Sequence, residues 1–393
     1  MNATQPLYDL SPALHVMLLG AIVALGPLAW VWLRNAGADA RGRLAALTLL
    51  VLFLTFDLVL FGAFTRLTDS GLGCPDWPGC YGAASPSGAA AQISAAQASL
   101  PSGPVTHAKA WIEMIHRYLA TAVGVLIIAI AAATWWGRGR ERMPVNPWWP
   151  TLTLAWVCVQ GAFGALTVTM KLQPAIVTLH LLGGMVLLAL LSAQAVAYRV
   201  ASHEPPRTSS PSKGVPSARA TIEPHLRTLL VAAYAFLWLQ IALGGWVSTN
   251  YAVLACTDFP RCHGTWWPDM NFQQGFELWR ALGKTSAGEP IEFAALTAIH
   301  YVHRLAALAV ILALAACAWR LWTGPLARQA RWLAALAAWQ FASGLSNVVL
   351  GWPLAAAVAH TGGAAALVVV LTWALCASRS EARTVLHARE VSA

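Results

Sequence analysis

The fold is decided by residues 44–64, which read LAALTLLVLFLTFDLVLFGAF and contain one charged side chain, Asp57. An α-helix needs about 20 predominantly apolar residues to cross the hydrocarbon core of a bilayer, and this run has that length. The composition of the whole chain agrees, because 58% of its 393 residues are hydrophobic and 10% are charged. A soluble domain carries roughly 25% charged residues, so a soluble globular protein is excluded.

Similar apolar runs recur along the chain and predict nine membrane helices. They lie at about 15–33, 44–64, 114–136, 149–169, 176–198, 228–248, 297–319, 330–350 and 354–377. Segments of ~10 residues with alternating polarity, which would indicate a transmembrane β-barrel, do not occur. The first run has no Lys or Arg before it and no small-residue cleavage site after it, so it is read as a helix and not as a signal peptide. The sequence therefore predicts an all-α polytopic membrane protein surrounded by a lipid bilayer.

The basic residues predict the orientation of these helices. Seventeen of the 25 fall on one side of the predicted membrane: Arg34, Arg41, Arg43, Arg138, Arg140, Arg142, Arg199, Arg207, Lys213, Arg219, Arg227, Arg320, Arg328, Arg331, Arg379, Arg383 and Arg389. The positive-inside rule makes this side cytoplasmic, with the N-terminus outside and the C-terminus inside. The long loops at about 65–112 and 249–296 then face the extracytoplasmic side. The net charge of +9 thus indicates topology and not a nucleic-acid partner.

An internal repeat divides the chain. The motif CPDWPGC at residues 74–80 recurs as CTDFPRC at residues 256–262, and His116-Arg117 is echoed by His303-Arg304. A first group of landmarks recurs at one constant offset, and its pairs are Gly62 and Gly244, Cys74 and Cys256, Pro78 and Pro260, Cys80 and Cys262, and Gly82 and Gly264. A second group recurs at a slightly shorter constant offset, and its pairs are Gln160 and Gln340, Gly164 and Gly344, His180 and His360, and Gly183 and Gly363.

The repeat predicts two tandem four-helix bundles, preceded by one extra helix. Because each half has an even number of spans, both halves keep the same orientation, and the pseudo-two-fold axis between them runs along the membrane normal. The predicted divisions are residues 1–43 for the extra helix and its cytoplasmic loop, 44–199 for the first half, 200–227 for a cytoplasmic linker, 228–378 for the second half and 379–393 for a cytoplasmic tail. Residues 83–105, rich in Ala, Ser, Gly and Pro, are predicted to form a mobile loop.

Four of the seven cysteines predict two disulfides. Cys74 and Cys80, like Cys256 and Cys262, are separated by five residues and lie in extracytoplasmic loops, where an oxidising compartment favours disulfides. Free thiols or a metal site are the alternatives, which the lack of Cys-x-x-Cys patterns disfavours. A redox role for the first pair stays open. The other three cysteines lie in apolar runs and are read as packing residues.

Four histidines are the strongest indication of chemistry. His116, His180, His303 and His360 each lie at the outer end of a predicted span, one pair in each half. A single histidine in a span is as often a packing residue, but ionisable groups in the membrane are costly and normally face the bundle interior. Two imidazoles from different helices at the same depth can ligate one heme iron axially. The pattern therefore predicts heme ligation by at least one of the pairs.

The two halves differ beside these histidines. Glu113 precedes His116 by three residues, so both side chains share one helical face, whereas His300 holds the corresponding place before His303. A carboxylate at this place can orient the ligand histidine or pair with Arg117. It can also stabilise positive charge on a substrate or move protons. The asymmetry favours one catalytic half and one electron-transfer half.

Taken together, these motifs resemble the bacterial heme A synthase family. The resemblance rests on GAFTRLTDSGLGCPDWPGC at residues 62–80, EMIHR at 113–117, VHR at 302–304, the second cysteine motif, and the glycine pairs that follow His180 and His360. It covers every predicted span except the first. This first span is a departure from the family, because it brings the number of spans to nine, whereas many members have eight.

The resemblance implies a membrane-bound oxidoreductase with two hemes. The family oxidises the C8 methyl group of heme O to the formyl group of heme A, for use in terminal oxidases. His303 and His360 would ligate a permanent heme b, His116 and His180 would hold the substrate heme, and Glu113 would be the catalytic loop glutamate. Successive oxidations of the methyl group would give an alcohol and then a geminal diol, which loses water to form the aldehyde. Glu113 would stabilise the electron-poor methyl carbon or take its proton.

Four further charged residues are candidates for the site. Arg66, Arg117 and Arg304 could contact heme propionates, because a guanidinium matches a carboxylate in bidentate fashion. Snorkelling of these side chains to the membrane interface explains them equally well. Asp57 is a functional candidate because it lies within a span, although the sequence identifies no partner for it.

The resemblance also implies a location and partners. The protein would be a multi-pass component of the bacterial inner membrane, with its heme sites towards the extracytoplasmic side. Its partners would be the heme O synthase that supplies the substrate and a membrane electron donor or acceptor. A homo-oligomer is compatible with the sequence.

Two other classes of protein stay open at this point. A diheme membrane cytochrome b that acts only in electron transfer would use the same four histidines and would leave Glu113 without a chemical role. A repeat-built transporter would place polar groups and broken helices near the membrane midplane. In this sequence the polar groups gather at the outer ends of the spans.

Overall fold

The computed structural model describes residues 11–138, 144–202 and 220–380. Within these ranges the chain is helical, apart from loops and one short pair of strands. The helices are α1 (Ser11–Arg34), α2 (Ala40–Leu67), α3 (Ala90–Ser99), α4 (His107–Gly137), α5 (Trp148–Thr169), α6 (Pro174–Ser202), α7 (Pro224–Thr249), α8 (Phe272–Gly275), α9 (Phe293–Leu321), α10 (Ala327–Val349) and α11 (Leu354–Ala377), and the strands are β1 (Ala220–Ile222) and β2 (Ser378–Ser380).

Eight of the described helices are long and apolar enough to cross a membrane, namely α1, α2, α4, α5, α6, α7, α9 and α11. The protein is therefore an all-α polytopic membrane protein, as predicted. The predicted span at 330–350 corresponds to α10, which has 23 residues and is long enough but less apolar. Its first turns carry Arg328 and Arg331, and its other end carries Ser343, Ser346 and Asn347.

Helix packing follows the internal repeat. In the first half α2 packs against α4 and α6, and α5 packs against the same two helices. In the second half α7 packs against α9 and α11, and α10 packs against these two in turn. The halves meet where α6 contacts α11, and the α2 contact with α11 is matched by the α7 contact with α6. Helix α1 lies outside this pattern and packs mainly on α4.

The backbone repeats the same details at the ends of the helices. Left-handed conformations, which L-residues other than glycine rarely adopt, occur at matching positions in both halves. The matching pairs are Asp69 and Tyr251, Tyr81 and His263, Gly82 and Gly264, Lys171 and Gly351, and Leu172 and Trp352. The offsets are those of the sequence repeat, so the backbone conformations of the two halves match at individual turns.

Two contacts join residues that are counterparts in the repeat. Arg66 Nη2 donates to Ser248 O at 2.6 Å, and the Tyr251 hydroxyl donates to Asp69 Oδ1 at 2.6 Å. Both contacts join residues whose separation in the chain is the offset of the first group of landmarks. A position that touches its own counterpart lies beside the axis relating two copies, so these contacts support the predicted pseudo-two-fold arrangement.

Disulfides join Cys74 to Cys80 and Cys256 to Cys262, the pairing that the sequence predicts. Each loop closes around an aspartate whose carboxylate accepts two backbone N–H groups. Asp76 accepts from Tyr81 and Gly82 at 2.6 and 2.7 Å. Asp258 accepts from His263 and Gly264, both at 2.9 Å, and these hydrogen bonds hold the pKa of the Asp258 carboxyl below its usual range.

The predicted mobile loop at residues 83–105 is wrong in part, because it contains α3. Five of the ten residues of α3 are alanine, the best helix former, and Ile93 provides one fully buried side chain. Ile93 belongs to an apolar cluster with the first disulfide and Met114. The helix is also tied to α4, because His107 N donates to Gln97 Oε1 at 3.0 Å.

A small parallel sheet of β1 and β2 was not expected from the sequence. It pairs Ala220 with Ser378, and Arg227 Nη1 donates to Ser378 O beside it at 3.2 Å. The sheet therefore ties the entry into α7 to the end of α11. Most of the predicted linker, at 203–219, and residues 381–393 of the predicted tail lie outside the described residues.

Candidate functional site

The four histidines lie on four different long helices, one pair in each half. His116 is on α4 and His180 on α6, whereas His303 is on α9 and His360 on α11. All four side chains are partly buried. Within each half the two histidine helices pack against the same two neighbouring helices, so they lie across the bundle from each other. The structure therefore brings together the pairs that the sequence predicts.

Each imidazole faces a glycine on a neighbouring helix. A Cβ atom added to Gly62 would lie 3.1 Å from Cε1 of His116, and one added to Gly244 would lie 3.0 Å from Cε1 of His303. For Gly344 and His360 the corresponding distance is 3.2 Å. Contacts this short force the ring to move, so glycine is what permits the observed approach of ring and helix.

The fourth histidine, His180, also faces a glycine, but at a larger distance. A Cβ atom on Gly164 would lie 3.5 Å from Cε1 of His180, an ordinary van der Waals contact. The four glycines are landmarks of the sequence repeat, but their spacing did not reveal that each one faces a histidine. That information depends on how neighbouring helices are rotated.

A glutamine supports the helix at one histidine of each half. Gln160 Nε2 donates to His180 O at 2.9 Å, and Gln340 Nε2 donates to His360 O at 2.9 Å. These glutamines belong to α5 and α10, so the less apolar α10 has the same place in the site as α5. Both bonds fix the depth of the histidine relative to the neighbouring helix.

The residues fit heme ligation by paired histidines. Nδ1 of His116 and of His180 is shielded, and it has no hydrogen-bond partner among the residues that the structure describes. Nε2 of His116, His180 and His360 makes no hydrogen bond with the described residues, so this nitrogen is free to bind iron. Imidazole nitrogens on facing helices, with glycines beside the rings, form a site that can hold a planar macrocycle.

We expect alanine at the closest of these glycines to weaken heme retention. In Gly244→Ala the His303 ring must shift by a few tenths of an ångström, so heme per protein should fall several-fold. Gly164→Ala should have a smaller effect on the His180 site, and Gly161→Ala, which meets nothing within 4 Å, is the matched control. Pyridine hemochrome assays on purified protein would measure this order, and equal heme content in all three variants would contradict it.

Glu113 lies within α4 and not in a loop, and its carboxylate is almost fully buried. Oε1 pairs with Arg117 Nη2 at 2.5 Å, and Oε2 accepts from the backbone N–H of Cys74 at 2.8 Å. No hydrogen bond between Glu113 and His116 is present. Of the roles that the sequence left open, pairing with Arg117 is therefore observed, whereas orientation of His116 is not.

The second half contains the same junction without a carboxylate. Arg304 Nε donates to Nε2 of His300 at 3.1 Å, and Nη2 donates to Cys256 O at 2.6 Å. In the first half Arg117 Nη1 donates to Gly79 O at 2.5 Å. Each arginine thus fastens the disulfide loop of its half to the helix that carries a histidine.

The three candidate propionate contacts all have protein partners. Arg117 and Arg304 bind the disulfide loops, and Arg66 binds Ser248 O and pairs with Asp69 at 3.2 Å. A propionate would have to share these guanidinium groups. Asp57 is exposed, forms no hydrogen bond with the described residues, and lies one helical turn from Phe61, whose ring stacks on His116 at 6.1 Å.

Fold and site together define a class of polytopic helical membrane protein with two repeat-related histidine pairs suited to heme. Residues 45–372 match the family model of the cytochrome oxidase assembly proteins, COX15-CtaA. The chain belongs to this family, which is that of the heme A synthases.

Several curated relatives carry the same name. Heme A synthase of Shewanella oneidensis is 36% identical over 330 residues, which cover 84% of this chain and 94% of the relative. Heme A synthase of Halalkalibacterium halodurans is 24% identical over 81% of this chain and 90% of the relative. Heme A synthase of Rhizorhabdus wittichii is 26% identical over 87% of this chain and 96% of the relative.

Proposed function

We propose that this protein is a heme A synthase, a membrane-bound oxidoreductase that oxidises the C8 methyl group of heme O to a formyl group. The observation that carries the proposal is the duplicated histidine pair, with a glycine against each ring, in a chain of this family. A diheme electron carrier would use the same four histidines but would leave Glu113 without a chemical role. The buried carboxylate of Glu113, which has His300 at its place in the second half, therefore favours a chemical step on one heme.

The two sites take different roles in this proposal. His303 and His360 in residues 228–378 hold a resident heme b, and His116 and His180 in residues 44–199 hold the substrate heme. The heme b supplies one-electron transfer chemistry when bound. The contact between α6 and α11 joins a histidine helix of one half to a histidine helix of the other, which supports electron transfer between the two sites.

Glu113 acts at the substrate site in this proposal. A carboxylate offers about four acceptor positions, of which Arg117 and the Cys74 N–H take two. The remaining positions allow it to stabilise an electron-poor methyl carbon or to accept a proton. The second half has His300 at this place and carries no equivalent negative charge, which supports a chemical role for the first half alone.

We place the helix ends with Arg34, Arg199, Arg227 and Arg320 in the cytoplasm of a bacterium whose inner membrane holds the protein. The disulfide loops then face the oxidising side, which supports this orientation. A heme O synthase as donor of the substrate and a membrane electron carrier complete the proposed partners, and self-association into a homo-oligomer is compatible with them.

Analysis of the bound hemes tests the function directly. The full chain is expressed in a host that makes heme O but has no heme A synthase, and the hemes of the purified protein and the membranes are separated by chromatography. We expect heme A, together with heme b retained by the protein. Bound heme b without any heme A would favour a diheme cytochrome b that acts only in electron transfer.

A further inference from the structure

The histidines of the two halves differ at Nδ1, the ring nitrogen that points away from a metal bound through Nε2. Ser343 Oγ lies 2.9 Å from Nδ1 of His360. At His303 the amide nitrogen of Gln240, which can only donate, lies 3.1 Å from Nδ1, 3.4 Å from Nε2 and 3.2 Å from the backbone oxygen. In the first half, Nδ1 of His116 and of His180 has no such contact with any described residue. Among the residues that the structure describes, polar contacts with the rings therefore occur in the second half and not in the first.

The contacts of Ser343 determine where the proton of His360 lies. Its hydroxyl is 2.7 Å from Trp339 O and 3.4 Å from Gln340 O. Carbonyl oxygens only accept, so the single hydroxyl proton is directed to them and Oγ accepts from the imidazole. His360 therefore carries its proton on Nδ1, which leaves the lone pair of Nε2 free for a metal.

The first half has apolar residues at the places of these partners. At the offset of the second group of landmarks, the counterpart of Ser343 is Phe163, and at the offset of the first group, the counterpart of Gln240 is Leu58. Neither side chain can accept or donate a hydrogen bond. The glycine and glutamine landmarks around the same sites are kept in both halves, whereas the groups that touch the rings differ.

We propose that Ser343 is a positioning residue that fixes His360 as an Nε2 ligand, and that this makes the second half retain its heme while the first half exchanges its heme. The inference rests on the proposed function, because it assumes heme at both pairs. A hydrogen bond from Nδ1–H raises the basicity of the ligand nitrogen and fixes the ring. Loss of such a partner typically lowers metal affinity by about 10–100-fold.

The test measures heme loss and redox behaviour, not turnover. Full-length protein in detergent is mixed with excess apomyoglobin, and transfer of heme b is followed by absorbance. In Ser343→Ala we expect release about 10–100-fold faster than in the wild type. We also expect a higher midpoint potential, because a less basic imidazole stabilises ferric iron less. Ser343→Thr, which keeps the hydroxyl, should restore both values.

Two further variants separate positioning from general damage to α10. Ser346→Ala removes a hydroxyl one turn away that donates to Ser343 O at 2.8 Å, and should change neither value. Phe163→Ser introduces the missing acceptor beside His180 and should slow release of heme from the first half.

Two results would overturn the proposal, and only one of them would also contradict the proposed function. A wild-type release rate and potential in Ser343→Ala would contradict the positioning role alone. A wild-type protein that shows no bis-histidine heme spectrum would contradict the proposed function and this inference together.

Discussion

Replacement of His303 by alanine is expected to abolish the low-spin heme b spectrum of the purified protein. Alanine offers no ligand, and the partner histidine, His360, cannot give a six-coordinate low-spin iron by itself. His360→Ala should have the same effect. Absorbance spectra of the reduced protein, together with heme per polypeptide, measure the loss.

A histidine outside the two histidine pairs of the site provides the control. His107 contacts Ser94 and Gln97 at the start of α4, so His107→Ala should keep the full heme b spectrum. Unchanged heme b content in His303→Ala, with normal insertion into the membrane, would assign the resident heme to other ligands.

Substitution of Glu113 by glutamine should lower heme A formation by about 10²–10⁴-fold, the range typical of a general acid–base group. Heme b content should stay normal, and heme O or a partly oxidised heme should accumulate. Glutamine still presents an oxygen to the Cys74 N–H, so the disulfide loop keeps its anchor while the negative charge is lost. Chromatography of extracted hemes measures all three quantities.

The second half supplies a matched control for this substitution. His300 accepts from Arg304 without carrying a formal negative charge, which shows that fastening the loop needs an acceptor and not a carboxylate. His300→Gln should therefore leave heme A formation within a few-fold of the wild type. Near-normal heme A formation by Glu113→Gln would reduce Glu113 to an anchor of the loop.

The membrane helices could be predicted from the sequence because hydrocarbon crossing depends on local length and apolarity. The repeat landmarks and the two disulfides were likewise local properties, carried by fixed spacings such as Cys74 to Cys80. Helix α3 was missed because residues 83–105 also contain the Gly, Pro and Ser residues typical of loops, and because its buried side chain, Ile93, packs against the first disulfide. The β1 and β2 pairing joins residues 220 and 378, and no local pattern indicates it.

The candidate site could also be predicted only in part. The histidine pairs were predictable because four histidines at equivalent depths are rare in apolar spans, and their role in heme ligation stays a prediction. Ser343 was missed because its counterpart is Phe163, so the repeat gave it no emphasis. Of the two partners of Glu113, Arg117 was predictable because it lies one helical turn away. The Cys74 N–H was not, because it contacts Glu113 only when the disulfide loop packs on the helix.

The contacts of Arg66 with Ser248 and of Asp69 with Tyr251 bear on the ancestry of the chain. In a homodimer of the first half, arginine would face arginine beside the axis, and like charges would repel. Fusion of a duplicated gene removes that constraint, because each copy can then mutate separately. In this chain the two copies are complementary to each other at these positions, since serine faces arginine and tyrosine faces aspartate.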